Sequence, residues 1–422
     1  MHRLNEYYIN HSVNIDEIKF INENKLIQLL ISLLEEFINN KNIQLIQNIL
    51  LIIHNLQIHE EEFLFNIEFL YNNNFLFVLD KCLKIYDDFY GIFYLINDIL
   101  INLMLNDKKI ATKIFKNHIF STILEKINKF SKETKKDDEL EKEYNLLNIA
   151  INFTDENELT NDDREKIKTI LKIYKGQISF QNEYLYKILE GIYLISKLED
   201  PYDFNDDIIK EGITFELLKV GYNLQGNSKD SKKCILLIIK IVVNNLTAPE
   251  DKNELLYSNI ISYFNSLSKI YIQDLEIREN ILNGLINIAA GKLKYVLTFS
   301  NIWSLANVLN SENEILSILK IIKYMLHEEK DEAIFIYIHD TKILQNYFKL
   351  FDDNKLSDSI RIQLLIITDI YLKTSKNNEN LQKYYDNIYD ILQNIFNYSS
   401  TIICLYFDGL TEIINDVENN FD

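Results

Sequence analysis

The stretch ENILNGLINIAAGKLKYVLTFSNIWSLANVLNSENEILSILKIIKYML, residues Glu279–Leu326, decides the fold. Leu282, Leu285 and Ala289 recur on one helical face, and Ile281 and Ile288 widen it into a broad apolar stripe. Gly291 follows as a stop, because Gly takes the left-handed backbone conformation without a Cβ clash. Lys292–Thr298 reads as a short helix. Ser300 or Asn301 then caps a second helix that turns Ile302, Leu305, Val308 and Leu309 inward. Ser311-Glu312-Asn313-Glu314 has the form of a capping box, in which the Ser side chain bonds forward and the Glu three residues on reaches back. The helix it opens holds Ile315, Leu316, Ile318, Leu319, Ile321 and Ile322 and is apolar nearly all round, so it must be covered on more than one side. A unit of this size cannot hide that surface alone. Stacked neighbours can, which is the logic of a solenoid.

Outward from this unit, the chain carries worn copies of it. Each copy ends in an apolar run with a terminal Asn: His54-Asn55-Leu56, Ile101-Asn102-Leu103, Ile151-Asn152-Phe153, Asn244-Asn245-Leu246 and Ile286-Asn287-Ile288. The marker residues Asn55, Asn102, Asn152, Asn245 and Asn287 stand 47, 50, 93 and 42 residues apart. The interval of 93 is about twice the others and places a degenerate copy, lacking the Asn, at Glu190–Leu198. Beyond Asn287 the same register lands near Tyr324, Tyr371 and Asn415. A period of roughly 45 residues is that of armadillo or HEAT units, and about nine of them account for the chain.

Other segments agree. Asn24–Asn40 reads as the second helix of the first unit, and Glu61–Asn72 and Asn74–Tyr86 precede the helix that ends at Asn102. Ile208–Ile213 followed by Phe215–Leu218 reads as a short helix, a turn at Gly212 and a second helix. Ser131–Lys142 (SKETKKDDELEK) is a mixed-charge run, read as a solvated loop insertion between second and third helices that extends toward the next helix. Asp200-Pro201 breaks a helix, and Ala248-Pro249-Glu250 starts one. None of these marks a domain boundary. Residues 1–422 are therefore expected to form one all-α, right-handed armadillo/HEAT-type solenoid.

Composition supports this class. The chain is 47% hydrophobic, which excludes wholesale disorder, and has only two prolines and nine glycines, too few turn residues for a strand-rich fold. Abundant Asn, Ile, Lys, Tyr and Phe with scarce Gly, Pro and Ala is the bias of AT-rich codons, which weakens any single Asn as a signal. The net charge of −19 argues against nucleic-acid binding through phosphate neutralisation; it suits basic peptides or proteins, or else serves only to keep the protein soluble. Cys82, Cys234 and Cys404 are far apart in apolar surroundings and read as reduced core residues of a cytoplasmic or nuclear protein. Met1–Phe20 is polar and mixed, unlike a signal peptide, and the apolar run Cys234–Val243 is short and broken by Lys240, unlike a membrane span.

At Leu285-Ile286-Asn287-Ile288-Ala289-Ala290-Gly291 and Val243-Asn244-Asn245-Leu246-Thr247-Ala248 the chain resembles armadillo repeats, in the flavour of importin-α, the nuclear-import adaptor. The resemblance implies that third helices line a groove in which Asn and Trp ladders hold an extended basic peptide. Its Asn side corresponds to Asn55, Asn102, Asn152, Asn245 and Asn287. Its Trp side has no counterpart: the position four before each Asn holds Leu51, Asp98, Asn148, Ile241 and Asn283, and Trp303 falls on a second helix. A terminal Asn can equally cap a helix end. Asp98 on the groove face is placed to meet a Lys of a bound peptide or to stand solvated. Met1–Asp16 has one Arg and no Lys, so the basic segment through which such adaptors bind importin-β is missing.

Catalytic signals are weak throughout. His54 and His59 are five apart rather than four, and His59-Glu60-Glu61-Glu62 and His327-Glu328-Glu329 lack a second His at metal spacing. GYNLQG at Gly221–Gly226 lacks the Lys-Ser/Thr of a phosphate loop. The sequence thus points to a non-catalytic adaptor without cofactor or metal and without direct nucleic-acid or membrane contact. Its sharpest form is an importin-α-like receptor for an extended basic segment. The alternative is a general armadillo scaffold for a folded protein.

Overall fold

A computed structural model describes residues 26–58, 74–130, 137–153, 159–179, 181–198, 204–226, 229–246, 254–291, 311–326, 332–340, 342, 346 and 357–376. Among them every regular element is an α-helix, 17 in all. The expected helices over 292–309 with Trp303, the segments 61–72, 131–136, 200–201 and 248–250, and Cys404, Asn415 and His59 lie outside the described residues. The chain divides into two compact units, Met1–Val220 and Gly221–Asp422.

The first unit contains α1 (Leu26–Asn39), α2 (Ile43–Ile58), α3 (Phe75–Ile85), α4 (Tyr90–Asn106), α5 (Lys108–Lys116), α6 (His118–Phe130), α7 (Asp137–Asn152), α8 (Asn161–Lys175), α9 (Leu185–Ser196) and α10 (Phe204–Lys210). α11 (Ile213–Leu224) carries the junction between the units. Two rows of helices build the stack. The third helices α2, α4, α7 and α9 pack each on the next, and the second helices α1, α3, α6 and α8 do the same. The rows are joined within repeats by α1 on α2, α3 on α4 and α8 on α9. The charged run expected as a loop at 131–142 is helical from Asp137 onward, as the start of α7.

The second unit holds α12 (Lys229–Asn245), α13 (Glu254–Ile270), α14 (Leu275–Ala290), α15 (Glu312–Leu326), α16 (Glu332–Asp340) and α17 (Asp358–Lys376). Its third helices α12, α14, α15 and α17 again pack in chain order, with α13 against α14 and α16 against α15. α15 shows why. Ile315, Ile318, Leu319, Ile321, Ile322, Met325 and Leu326 are all buried and form one broad stripe along the helix. α14, α16 and α17 pack against α15. Each fully buried aliphatic side chain contributes roughly 1.5–3 kcal/mol, and none of it is available to the helix alone.

Local chemistry starts and stops these helices. Ser311 Oγ accepts from Glu314 N at 3.3 Å while the Glu314 carboxylate accepts from Ser311 N and Oγ, the expected capping box. Thr160 and Asp163 form a second such box at α8, and Asp107 and Asp274 cap α5 and α14. Gly212 turns between α10 and α11 with φ 72, in the left-handed region that favours Gly. Gly291 ends α14 for another reason than the one expected. Its backbone is extended, φ −85 and ψ 176, and its N–H donates to Ile288 O. Any L residue adopts that conformation.

Glycine matters more inside the helices, where aromatic side chains of second helices lie across it. A Cβ on Gly191 of α9 would stand 2.4 Å from Asn148 Oδ1 and 2.5 Å from Tyr174 Oη. On Gly284 of α14 it would stand 2.6 Å from the Phe264 ring, and on Gly221 it would stand 2.4 Å from Tyr263 Oη. Tyr174, Tyr263 and Phe264 are fully buried and have no room to retreat. Gly191→Ala is expected to lower the stability of the first unit by about 2 kcal/mol, within the range for overpacking. Gly291→Ala is expected to change stability by less than about 0.5 kcal/mol. Urea unfolding of both variants checks the contrast; equal losses would contradict it.

Candidate functional site

The surface that the repeats jointly present is the exposed stripe of the third helices. On α2 it runs through Gln44, Asn48, Leu51 and Asn55, and on α4 through Gly91, Leu95, Asp98, Asn102 and Leu105, positions three or four apart that are the exposed or half-buried ones of each helix. The stripes of neighbouring helices touch: a Cβ on Gly91 would lie 3.1 Å from Gln47 Nε2. On α7 the stripe continues through Lys142, Asn145, Ile149 and Asn152.

The marker asparagines occupy this row unequally. Asn152 is exposed, and Asn55, Asn102 and Asn287 are half-buried. Asn245 is buried, 3% exposed, which takes it out of reach of a ligand on the surface. Asn287 Nδ2 donates at 3.1 Å to the Val243 carbonyl of the preceding third helix, so its amide ties α14 to α12. Asn55 Nδ2 is enclosed and has no hydrogen-bond partner among the described residues. Of the positions four residues before, Ile241 is buried, Asn283 exposed and Leu51 half-buried. Asn148 is a buried tie: its Oδ1 accepts from Tyr174 Oη at 2.6 Å and its Nδ2 donates to the Lys187 carbonyl at 2.9 Å.

Asp98 does meet a Lys, but one of its own chain. Lys142 Nζ lies 2.7 Å from Asp98 Oδ2, across from α7 to α4. The same arrangement recurs. Lys187 Nζ of α9 reaches Glu141 at 2.8 Å and Asn145 Oδ1 at 2.6 Å on α7. In the second unit Lys240 of α12 pairs with Glu276 of α14 at 3.2 Å, and Lys232 pairs with Asp274. Burial raises the Asp274 pKa, but the Lys232 ammonium and the Ile277 N–H outweigh it and hold the carboxyl below its ordinary value. These pairs join residues about one repeat apart in sequence. That regularity was available as a signal: opposite charges at the repeat spacing on successive third helices.

The most enclosed of these ties is Arg278–Glu314. Arg278 Nε donates to Glu314 Oε1 at 2.7 Å, and Glu314 is 2% exposed. The carboxylate that caps α15 therefore also binds α14. Burial pushes its pKa up, but Arg278 and Ser311 more than offset that, so it lies below the ordinary value of 4.5. Cys82 and Cys234 are buried free thiols, and burial pushes them up to about 12 and about 11. Both are poor nucleophiles at neutral pH.

No family model and no curated protein matches the sequence. Solved structures do. One is a chain from a structure of the interaction between cadherin and beta-catenin and the conserved phosphorylation switch that controls it. It is 11% identical, with a TM-score of 0.54 over 82% of this chain and 60% of that one. The present chain thus spans about 60% of the length of that neighbour. At this identity the likeness shows the fold: an all-α, armadillo-like helical-repeat solenoid. It bears on the armadillo part of the resemblance and not on importin-α.

A depressed carboxyl pKa stabilises the folded state above the unfolded value and is lost as pH falls through the folded one. Glu314→Gln is therefore expected to destabilise the second unit by roughly 3 kcal/mol at pH 7, as for a broken enclosed ion pair. The deficit should shrink as pH drops below 4.5. Denaturant unfolding at pH 7 and near pH 3 measures it. A deficit that does not depend on pH would contradict the assignment.

Proposed function

We propose that this chain is a non-catalytic scaffold that binds a protein partner along the exposed stripe of its third helices. The observation that carries the reading is the stripe itself. Successive packed helices hold a row of amide, aliphatic and charged side chains at fixed repeat spacing, a geometry suited to an extended contact rather than to a reacting centre. The armadillo-like neighbour belongs to a structure of a protein–protein interaction, between cadherin and beta-catenin, and supports a protein-binding role for the same architecture here.

The finer reading, a groove for an extended basic segment, has less support. A basic peptide needs free carboxylates, and three on or beside the stripe already have cations: Asp98 has Lys142, Glu141 has Lys187 and Glu276 has Lys240. Half-exposed ion pairs of this kind contribute only about 0–1 kcal/mol, so a ligand Lys that displaced one would gain little. Asn245 and Asn287, the asparagines of the clearest motif copies, face the stack or a neighbouring carbonyl.

A photo-crosslinking residue placed at Asn152, exposed on α7, should trap a protein partner in the source cell. The same residue at Glu125, exposed on α6 in the second-helix row, should not. Equal trapping from both positions would defeat the stripe as the binding face. A labelled basic nuclear-localisation-type peptide should bind more weakly than about 100 μM at physiological salt. Micromolar binding that Asn102→Ala with Asn152→Ala weakens would instead favour the peptide receptor.

A further inference from the structure

We infer that the α2–α4 part of the stripe is a self-association face that takes a second copy of this chain. The inference does not depend on the protein-partner reading, since it concerns a different occupant on one part of the same row. It starts from charge. A quarter of the chain's residues are charged and the net charge is −19. Yet α2, a 16-residue helix, carries no Asp, Glu, Lys or Arg, and the 17-residue α4 carries one, Asp98. Lys142 neutralises that one. The other third helices differ: α12 has Lys229, Asp230, Lys232, Lys233 and Lys240, and α15 has Glu312, Glu314, Lys320 and Lys323.

What stands on this face is amide and aliphatic: Gln44 and Asn48 beside Leu51, Leu95 and Leu105, the last 57% exposed. Such a surface is complementary to itself. An Asn or Gln amide both donates and accepts, so it can pair with its own copy, and a Leu packs against a Leu. A carboxylate or an ammonium repels its own copy and needs an opposite charge elsewhere on the patch. A two-fold interface sets each patch against an identical one, and two chains of charge −19 can approach at least cost where neither presents charge. At 1.5 Å per residue α2 is about 24 Å long, and packed helices lie 8–10 Å apart, so the two stripes offer roughly 500 Å² per copy. A dimer would bury about 1,000 Å², near the lower bound for a specific interface, which points to a weak, micromolar association.

Sedimentation equilibrium of the full chain tests this. The parent is expected to dimerise at tens of micromolar. Association should tighten as salt rises, because the face holds no charge pairs to screen while the two acidic bodies repel. Gln44→Glu with Leu105→Glu changes two exposed side chains and adds like charge on both copies. It should weaken the dimer at least about tenfold. Phe77→Glu, exposed on α3 in the other row, should leave it unchanged within about twofold. Circular dichroism melts of the variants check that each is folded. A parent that stays monomeric at 0.5 M salt and the highest soluble concentration would overturn the inference. So would association that weakens with salt, or a dimer that the α2–α4 variant leaves intact or that Phe77→Glu disrupts equally.

Discussion

The structure depends on one constraint: each third helix carries a broad apolar stripe that only the helices packed against it can cover. α15 buries Ile315, Ile318, Leu319, Ile321, Ile322, Met325 and Leu326, and needs α14, α16 and α17 to do it. α4 is in the same position, with Ile92, Phe93, Ile96, Ile99, Leu100, Leu103 and Met104 buried between α2 and α7. Such a helix has no stable folded state without its neighbours. Stacking is therefore a requirement of the sequence, and the rest of the architecture follows from it: two rows, packing in chain order, and one stripe per third helix left to solvent.

The second layer of organisation is lateral. Polar side chains on one third helix reach the next: Lys142 to Asp98, Lys187 to Glu141, Lys240 to Glu276, Arg278 to Glu314, and Asn287 to the Val243 carbonyl. The exposed pairs add little stability, whereas the Arg278–Glu314 pair is nearly enclosed, so that removing either partner strands a buried charge between α14 and α15. These ties also shape function, because they consume the charges that a ligand would otherwise meet. The stripe of α2 and α4 is left nearly uncharged in a strongly acidic chain, and on that of α7 and α9 Lys142 and Lys187 are paired within the chain. Both properties suit the proposed protein contact better than capture of a basic segment.

Much of the fold was legible from residue types at fixed spacing. The Ser311–Glu314 box, the turn at Gly212, the second helix at Asn24–Asn40 and the all-helical class each rest on local chemistry that tertiary contacts do not override. The marker Asn ends its helix at Asn152 and Asn245, whereas α2, α4 and α14 run three or four residues past Asn55, Asn102 and Asn287. Its role was not readable, because the same amide can face a ligand, as Asn152 is free to do, or a neighbouring backbone carbonyl, as Asn287 does, and only the packing angle decides. Gly291 was identified as a stop through a conformation it does not adopt. Gly191, Gly221 and Gly284 carried no local signal, since what requires them is an aromatic side chain on another helix. The Thr160–Asp163 box was present in the sequence and went unread because no strong apolar run follows it at once. The charge ties were readable only after the repeat register was known.

Hydrogen exchange measured by mass spectrometry tests the central claim, that third helices are stable only through one another. Peptides from α14 and α15 should be the most protected of the second unit. In the Arg278→Ala variant both should speed up together, by a similar factor, because the enclosed tie and the shared apolar face hold them as one body. If α15 alone loosened while α14 kept its protection, the two helices would be stable independently, and mutual burial would not be what holds the stack together.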